Sequence, residues 1–252
     1  MKSKAFLYIA AAIILVWAFG IWLGPEGEYQ KPSGELVGPE ARAVPEAVHT
    51  ISCQWASGDI QITLSPDDQV YIQTLSEKGS GSYHAMAYGW YEGTLSIEDD
   101  QDEGFVDKLI GEEKNQLLVL QLPREGIERV TLDQDIGDVT LEDVAIDDLT
   151  IAMGPGNLTI TGNFDRLSAD MQSGTLDFTS DRLPSTLTVT DKAGDVRLDL
   201  PPNDGFTLTH DLADGKLTSA FHLVDKDAVT AIHGNGGAAL SITLADGNLT
   251  LA

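Results

Sequence analysis

A glycine, one polar residue and then strict apolar/polar alternation recur along this chain. The phrase reads SGDIQI at Ser57, EGTLSI at Glu92, IGDVTL at Ile136, PGNLTI at Pro155, SGTLDF at Ser173, AGDVRL at Ala193, DGKLTS at Asp214 and DGNLTL at Asp246. Its glycines are Gly58, Gly93, Gly137, Gly156, Gly174, Gly194, Gly215 and Gly247, and from Gly137 to Gly215 they are spaced by 19, 18, 20 and 21 residues. Alternation with period two is the signature of half-buried strands, and a helical period is hard to find after Ala47. A unit with one apolar face cannot bury it alone, so the units must stack. A propeller blade needs four strands in about 40 residues and would destroy the single-unit period. A sandwich accommodates the alternation, but a solenoid accounts better for a near-constant unit. The sequence therefore predicts an all-β solenoid, or β-helix, of two-strand coils of about 18–21 residues, with each repeated glycine serving a structural turn.

The apolar positions support two strands per unit. Val139 and Leu141 precede the turn DVAIDD, and Leu149, Ile151 and Met153 follow it. Leu158 and Ile160 then lead to Leu167, Ala169 and Met171, and Leu176 and Phe178 lead to Leu187 and Val189. The opposite face carries Thr, Asp, Ser and Arg. Regular repeats are expected over 132–252. Residues 47–131 form a less regular part, read as the less ideal end of the same solenoid or as a cap.

The first 23 residues pose a different problem. AFLYIAAAIILVWAFGIWL holds 19 apolar or small residues without a charge, about 28 Å of helix against a bilayer core of about 30 Å. Aromatic residues near both ends suit the two membrane interfaces, and Lys2 and Lys4 favour a cytoplasmic N-terminus. The apolar run is longer than that of a signal peptide, and no small-x-small cleavage site follows. Residues 1–23 are thus expected to be a single-pass transmembrane anchor, inserted through 5–23, with the C-terminal domain outside. Residues 24–46 read as a spacer: 24–45 carry four Gly and four Pro without an apolar period. The β-strand-repeat domain is then 47–252. The chain's net charge is −25, and because Lys2 and Lys4 belong to the anchor, the remainder carries −27. Such a polyanion is a poor nucleic-acid or anionic-lipid binder.

SGDIQIT, DDQVYIQ, GTLSIED and LLVLQLP, then GDVTL, GTLDF and GDVRLDLP, and finally GNGGAALSITLADGNLTLA together resemble the bacterial putative-adhesin family of β-strand-repeat proteins. This is a domain-of-unknown-function family to which the LiaG-type envelope-stress accessory proteins are similar. The resemblance covers roughly 47–252. It implies a β-solenoid-like domain displayed outside a bacterial cell membrane and supplies no catalytic residues.

No nucleophile elbow, zinc-protease, phosphate-loop, paired-cysteine or dinucleotide motif is present. His49, His84, His210, His222 and His233 are too scattered for a local zinc site, and Cys53, the lone cysteine, reads as a buried strand residue. The acidic run from Glu98 to Glu103 reads as a solvated loop with nonspecific divalent-cation binding at most. After the repeated glycines stand Asp138, Asn157, Thr175, Asp195, Lys216 and Asn248, a column that lacks a calcium-ladder pattern and suits turns. The NLT sequences at Asn157 and Asn248 fall inside strands and are discounted as glycosylation sites. YHAMAYGWY, from Tyr83 to Tyr91, concentrates aromatics in a chain that is 7% aromatic. Tyr88, Trp90 and Tyr91 form an interaction surface if exposed, and part of a cap core if buried, the arrangement favoured here. The expected function is non-enzymatic: an adhesin-like or envelope-stress accessory protein without cofactors, binding an envelope polymer or a membrane signalling protein. The rivals are a carbohydrate-active β-helix enzyme and a purely structural surface protein.

Overall fold

The computed structural model describes residues 36–45, 47–77, 86–99, 116–202 and 205–252. The expected anchor, most of the expected spacer, His84 and Asp100–Glu103 lie outside these. Among the described residues every regular element is a strand, and no helix is long and apolar enough to cross a membrane. In chain order the strands are β1 (Leu36–Val37), β2 (Arg42–Ala43), β3 (Thr50–Ser57), β4 (Asp59–Leu64), β5 (Tyr71–Glu77), β6 (Met86–Tyr91) and β7 (Thr94–Asp99). There follow β8 (Gln116–Leu122), β9 (Arg129–Ile136), β10 (Val139–Pro155), β11 (Leu158–Ser173), β12 (Leu176–Thr179), β13 (Thr186–Asp191) and β14 (Val196–Asp199). The C-terminal part adds β15 (Phe206–Leu212), β16 (Leu217–Ser219), β17 (Val224–Asp225), β18 (Thr230–His233), β19 (Ala238–Leu244) and β20 (Leu249–Leu251).

Parallel pairing organises the coils into two ladders. The first runs β7, β3, β9, the second limb of β10, the second limb of β11, β13, β19, β15. The second runs β8, β4, the first limb of β10, the first limb of β11, β12, β14, β20, β16. Equivalent apolar residues stack between the ladders because side chains repeat every second residue and successive strands share one register. One interior column reads Leu95, Ile51, Val130, Leu149, Leu167, Leu187, Leu240, Leu208, and all of these are buried. The all-β, repeat-built architecture read from the sequence is thus present. Residues 47–131 supply coils to the same ladders, but β5 and β6 run antiparallel there, against β8 and β7.

The order of coils in space corrects the sequence reading at the C-terminal end. Gly215 was expected to follow Gly194. Instead β19 and β20 pair with β13 and β14, and β15 and β16 pair outside them. The glycine stack accordingly runs Gly58, Gly137, Gly156, Gly174, Gly194, Gly247, Gly215: a Cβ built on each from Gly137 onward would lie 1.6–2.2 Å from a carbonyl oxygen of an adjacent glycine. Gly93 does not belong to this stack. It shares the two-residue β6–β7 turn with Glu92, both left-handed at φ +76° and +48°, as hairpin geometry of this type requires. Past β15, the antiparallel strands β18 and β17 close the end. There the Phe206, Phe221 and His233 rings meet with centroids 4.9–5.3 Å apart.

The residues after the glycines do serve the turns, as expected, but as a hydrogen-bonded ladder. Asp138 N–H donates to Asp59 Oδ1 at 2.9 Å, Asn157 N–H to Asp138 Oδ1 at 2.9 Å, and Thr175 N–H to Asn157 Oδ1 at 3.1 Å. The ladder resumes with Asn248 N–H to Asp195 Oδ1 at 2.7 Å and Lys216 N–H to Asn248 Oδ1 at 3.3 Å. Thr175 interrupts it, because its shorter side chain makes no equivalent bond among the described residues. Thr175→Asn is expected to complete the ladder and raise the unfolding free energy by about 0.5–1 kcal/mol, typical of one net hydrogen bond, read as a higher urea midpoint at unchanged slope.

Inside the coil, Asp191 is buried and burial raises its carboxyl above the ordinary range, although Ala193 and Lys192 N–H groups oppose the shift. The folded chain therefore holds this proton more tightly than the unfolded chain. Its contribution to stability is complete below the ordinary aspartate pKa and is lost as pH rises through the raised value. Asp191→Asn is expected to remove this part of the pH slope in urea melts between acidic and neutral pH.

Candidate interaction surfaces

Where the second ladder hands the chain back to the first, the connecting loops lie on the edge opposite the glycine stack. Three adjoining hollows of about 520, 650 and 600 Å³ follow this edge. Glu125 of the β8–β9 loop lines all three, and Arg124 and Gly126 of the same loop, His49 before β3, and Asn163 and Asp181 of later coils each line two. Coil stacking explains the juxtaposition: Ala145 pairs in register with Asn163, and Asp181 follows after another 18 residues. Ser180 fixes the third loop, its Oγ donating to Arg182 O at 2.6 Å and to Asn163 Oδ1 at 3.3 Å. His49 Nδ1 lies 3.1 Å from Gly126 O, which ties the first loop to β3. Asp143, left-handed at φ +56°, contributes to one hollow. The result is an edge groove of adjoining hollows with mixed polar and apolar lining, in which acidic side chains outnumber the cations Arg124 and Arg182. No local motif marks it, and the 18-residue recurrence of Ala145, Asn163 and Asp181 is the signal that could have found it.

Beside the groove, Asp148 stands in register between Arg129 and Arg166. Arg166 Nη2 donates to Asp148 Oδ2 at 2.6 Å, and Arg129 Nη2 lies 3.6 Å from the same oxygen. These cations, Arg166 first, hold the Asp148 carboxyl below the ordinary carboxylate range. The part of stability it supplies is present above the ordinary value and is lost as pH falls through the depressed one. Exposure of both arginines keeps that part small.

The second surface is the β6–β7 hairpin, and here the expected burial is corrected. Trp90 is 37% and Tyr91 74% exposed, while Tyr88 is half-buried against the core. Tyr88 and Trp90 stack with centroids 6.1 Å apart. The reason is positional: among the described residues β6 pairs only with β7, so no further coil covers it. The remaining sequence candidates are placed apart. Cys53 is buried, its thiol pushed up to about 12 by burial and then by Asp99 and Asp133; His49 is exposed on a loop, so the two share no ligand site. His222 and His233 meet in the C-terminal cap, where His233 Nδ1 lies 3.1 Å from His222 O. No group of three metal-ligating side chains occurs among the described residues.

A family model described as Toastrack DUF4097 matches residues 126–252, the stretch that holds β9 to β20. Among solved structures, the chain is similar to a "putative cell adhesion protein" from Clostridium sporogenes, with 13% identity and a TM-score of 0.52, covering 86% of this chain and 99% of that one. It is also similar to a "putative adhesin" from Bacteroides fragilis, with 12% identity and a TM-score of 0.42, covering 88% and 100%. No curated protein matches the sequence. The first of these structures shares the fold, and the family model spans just over half of the sequence: the chain belongs to the Toastrack DUF4097 family.

Proposed function

We propose that this protein is a non-enzymatic, adhesin-like binding protein of the bacterial cell envelope. In this reading residues 5–23 anchor it in the membrane with the N-terminus cytoplasmic, 24–46 hold the solenoid away, and the solenoid binds an envelope polymer or a membrane signalling protein. The observation that carries the reading is the loop-edge groove. The buried side chains and the post-glycine residues are committed to stacking, whereas the coil-connecting loops differ in sequence and jointly line three adjoining hollows with mixed polar and apolar lining. A rigid repeat scaffold that varies only its loops is suited to recognition. The 19-residue apolar span, the aromatic hairpin and the adhesin descriptions of the structural relatives agree with it. The net charge of −25 favours cationic partners.

In-cell cross-linking of the full-length chain, with mass spectrometry of membrane and wall fractions, tests the proposal. Reproducible capture of one membrane protein or wall polymer, weakened by Asn163→Lys in the groove, is the expected result. Cleavage of an envelope polysaccharide by the purified chain would overturn the non-enzymatic reading, and recovery in the cytosolic fraction would overturn the anchor.

A further inference from the structure

Among the described residues β6 ends the first ladder, and the edge it leaves has a defined chemistry. The two-residue turn at Glu92–Gly93 makes Tyr91 and Thr94 the closing hydrogen-bonded pair. By alternation Tyr91, Gly89 and Ala87 exchange backbone bonds with Thr94, Ser96 and Glu98. The N–H and C=O groups of Met86, Tyr88 and Trp90 point away from β7, where no described strand receives them. An open strand edge is a template for another strand.

Two further features narrow what that strand is. MAYGWY carries no charge in a chain of net charge −25, so a second copy can pair along it without placing like charges opposite one another in the strand. Among the described residues nothing calls for a glycine at 89: a Cβ there would meet nothing within 4 Å, and its φ is not left-handed. Glycine in a strand interior weakens the strand and often marks close approach of another backbone.

We propose that β6 pairs antiparallel with β6 of a second copy, about a two-fold axis through Gly89. This register places Tyr88 opposite Trp90 of the second copy, and Trp90 opposite its Tyr88, as hydrogen-bonded pairs that use the outward-pointing backbone groups. Tyr91 lies opposite Ala87 of the other copy, and the two Gly89 residues face each other. The Tyr88–Trp90 stack becomes a four-ring row, a favoured cross-strand arrangement. The first ladder then continues unbroken through both solenoids. Covering the exposed parts of Trp90 and Tyr91 together with the strand edge buries roughly 400 Å² per copy, about half of a standard interface. The pairing is therefore weak in dilute solution and favoured where the two chains are held close together.

Gly89→Cys tests the register directly. Facing residues of a non-hydrogen-bonded antiparallel pair lie about 4.5 Å apart at Cα, within disulfide reach, and Cys53 is too buried to compete. In the purified full-length chain in detergent, mild oxidation is expected to give a covalent dimer through Gly89→Cys. Adding Trp90→Pro, which removes an outward N–H together with the indole of the ring row and leaves the β7-facing groups of Gly89 and Tyr91 in place, is expected to cut the dimer yield at least several-fold while the far-ultraviolet circular dichroism stays unchanged. The proposal is overturned if a folded, maleimide-reactive Gly89→Cys chain stays monomeric. It is equally overturned if Val229→Cys, exposed at the opposite end, dimerises as readily, since that would report random collision.

Discussion

Gly174→Ala is expected to lower the unfolding free energy by about 3–5 kcal/mol, the sum of left-handed backbone strain and overpacking. Gly174 sits at φ +131°, and an added Cβ would lie 1.8 Å from Gly156 O. That oxygen belongs to the backbone of the neighbouring coil and cannot swing aside as a side chain does. Relief requires the two coils to separate, which stretches the bonds between them, such as Gly156 N–H to Ser173 O at 3.1 Å and Leu158 N–H to Thr175 O at 2.9 Å. Gly126→Ala provides the comparison. Gly126 is also left-handed, at φ +95°, but its Cβ would meet nothing within 4 Å, so strain alone applies, at about 1–2 kcal/mol. Urea unfolding followed by circular dichroism separates the two. Equal midpoint shifts would mean that the glycine stack is a matter of backbone conformation and that close coil contact contributes little.

The period was legible because every coil imposes the same geometry on its sequence: a glycine where backbones touch, then apolar residues on the inward parity. Cys53 and the turn-serving role of Asp138, Asn157 and Asn248 followed from that geometry. Coil order at the C-terminus was not legible, because DGKLTS at Gly215 and DGNLTL at Gly247 are locally equivalent phrases. Which of them lies against Gly194 is decided by distant pairing. The 32-residue interval between these two glycines was the available hint, since it exceeds one coil and leaves room for β17 and β18. The exposure of Trp90 was hidden for a related reason. Alternation assigns Tyr88 and Trp90 to the core-facing parity, but it cannot tell that the ladder ends there. The groove is a property of several loops at once and is invisible to any local motif.

A chain ending at Gly237 is expected to lose the folded state, not merely its last coil. In a solenoid whose coils stack in sequence order, removing the C-terminal unit exposes one new end and leaves the rest paired. Here the deleted strands β19 and β20 lie between β13/β14 and β15/β16, so their loss also orphans the coil beyond them and the antiparallel cap. Ala238, Leu240, Ile242, Leu244, Leu249 and Leu251 are all buried. At about 1.5–3 kcal/mol for each of the five larger side chains, the deletion removes on the order of 10 kcal/mol, comparable with the whole stability of a typical domain. Circular dichroism and amide hydrogen exchange of the truncated chain read the outcome. Protection is expected to collapse even in β10 and β11, because the unfolding of such a stack spreads from an uncovered end. Retention of native exchange rates in those strands would show that the central coils are stable alone and that the inserted coil serves only to hold the cap.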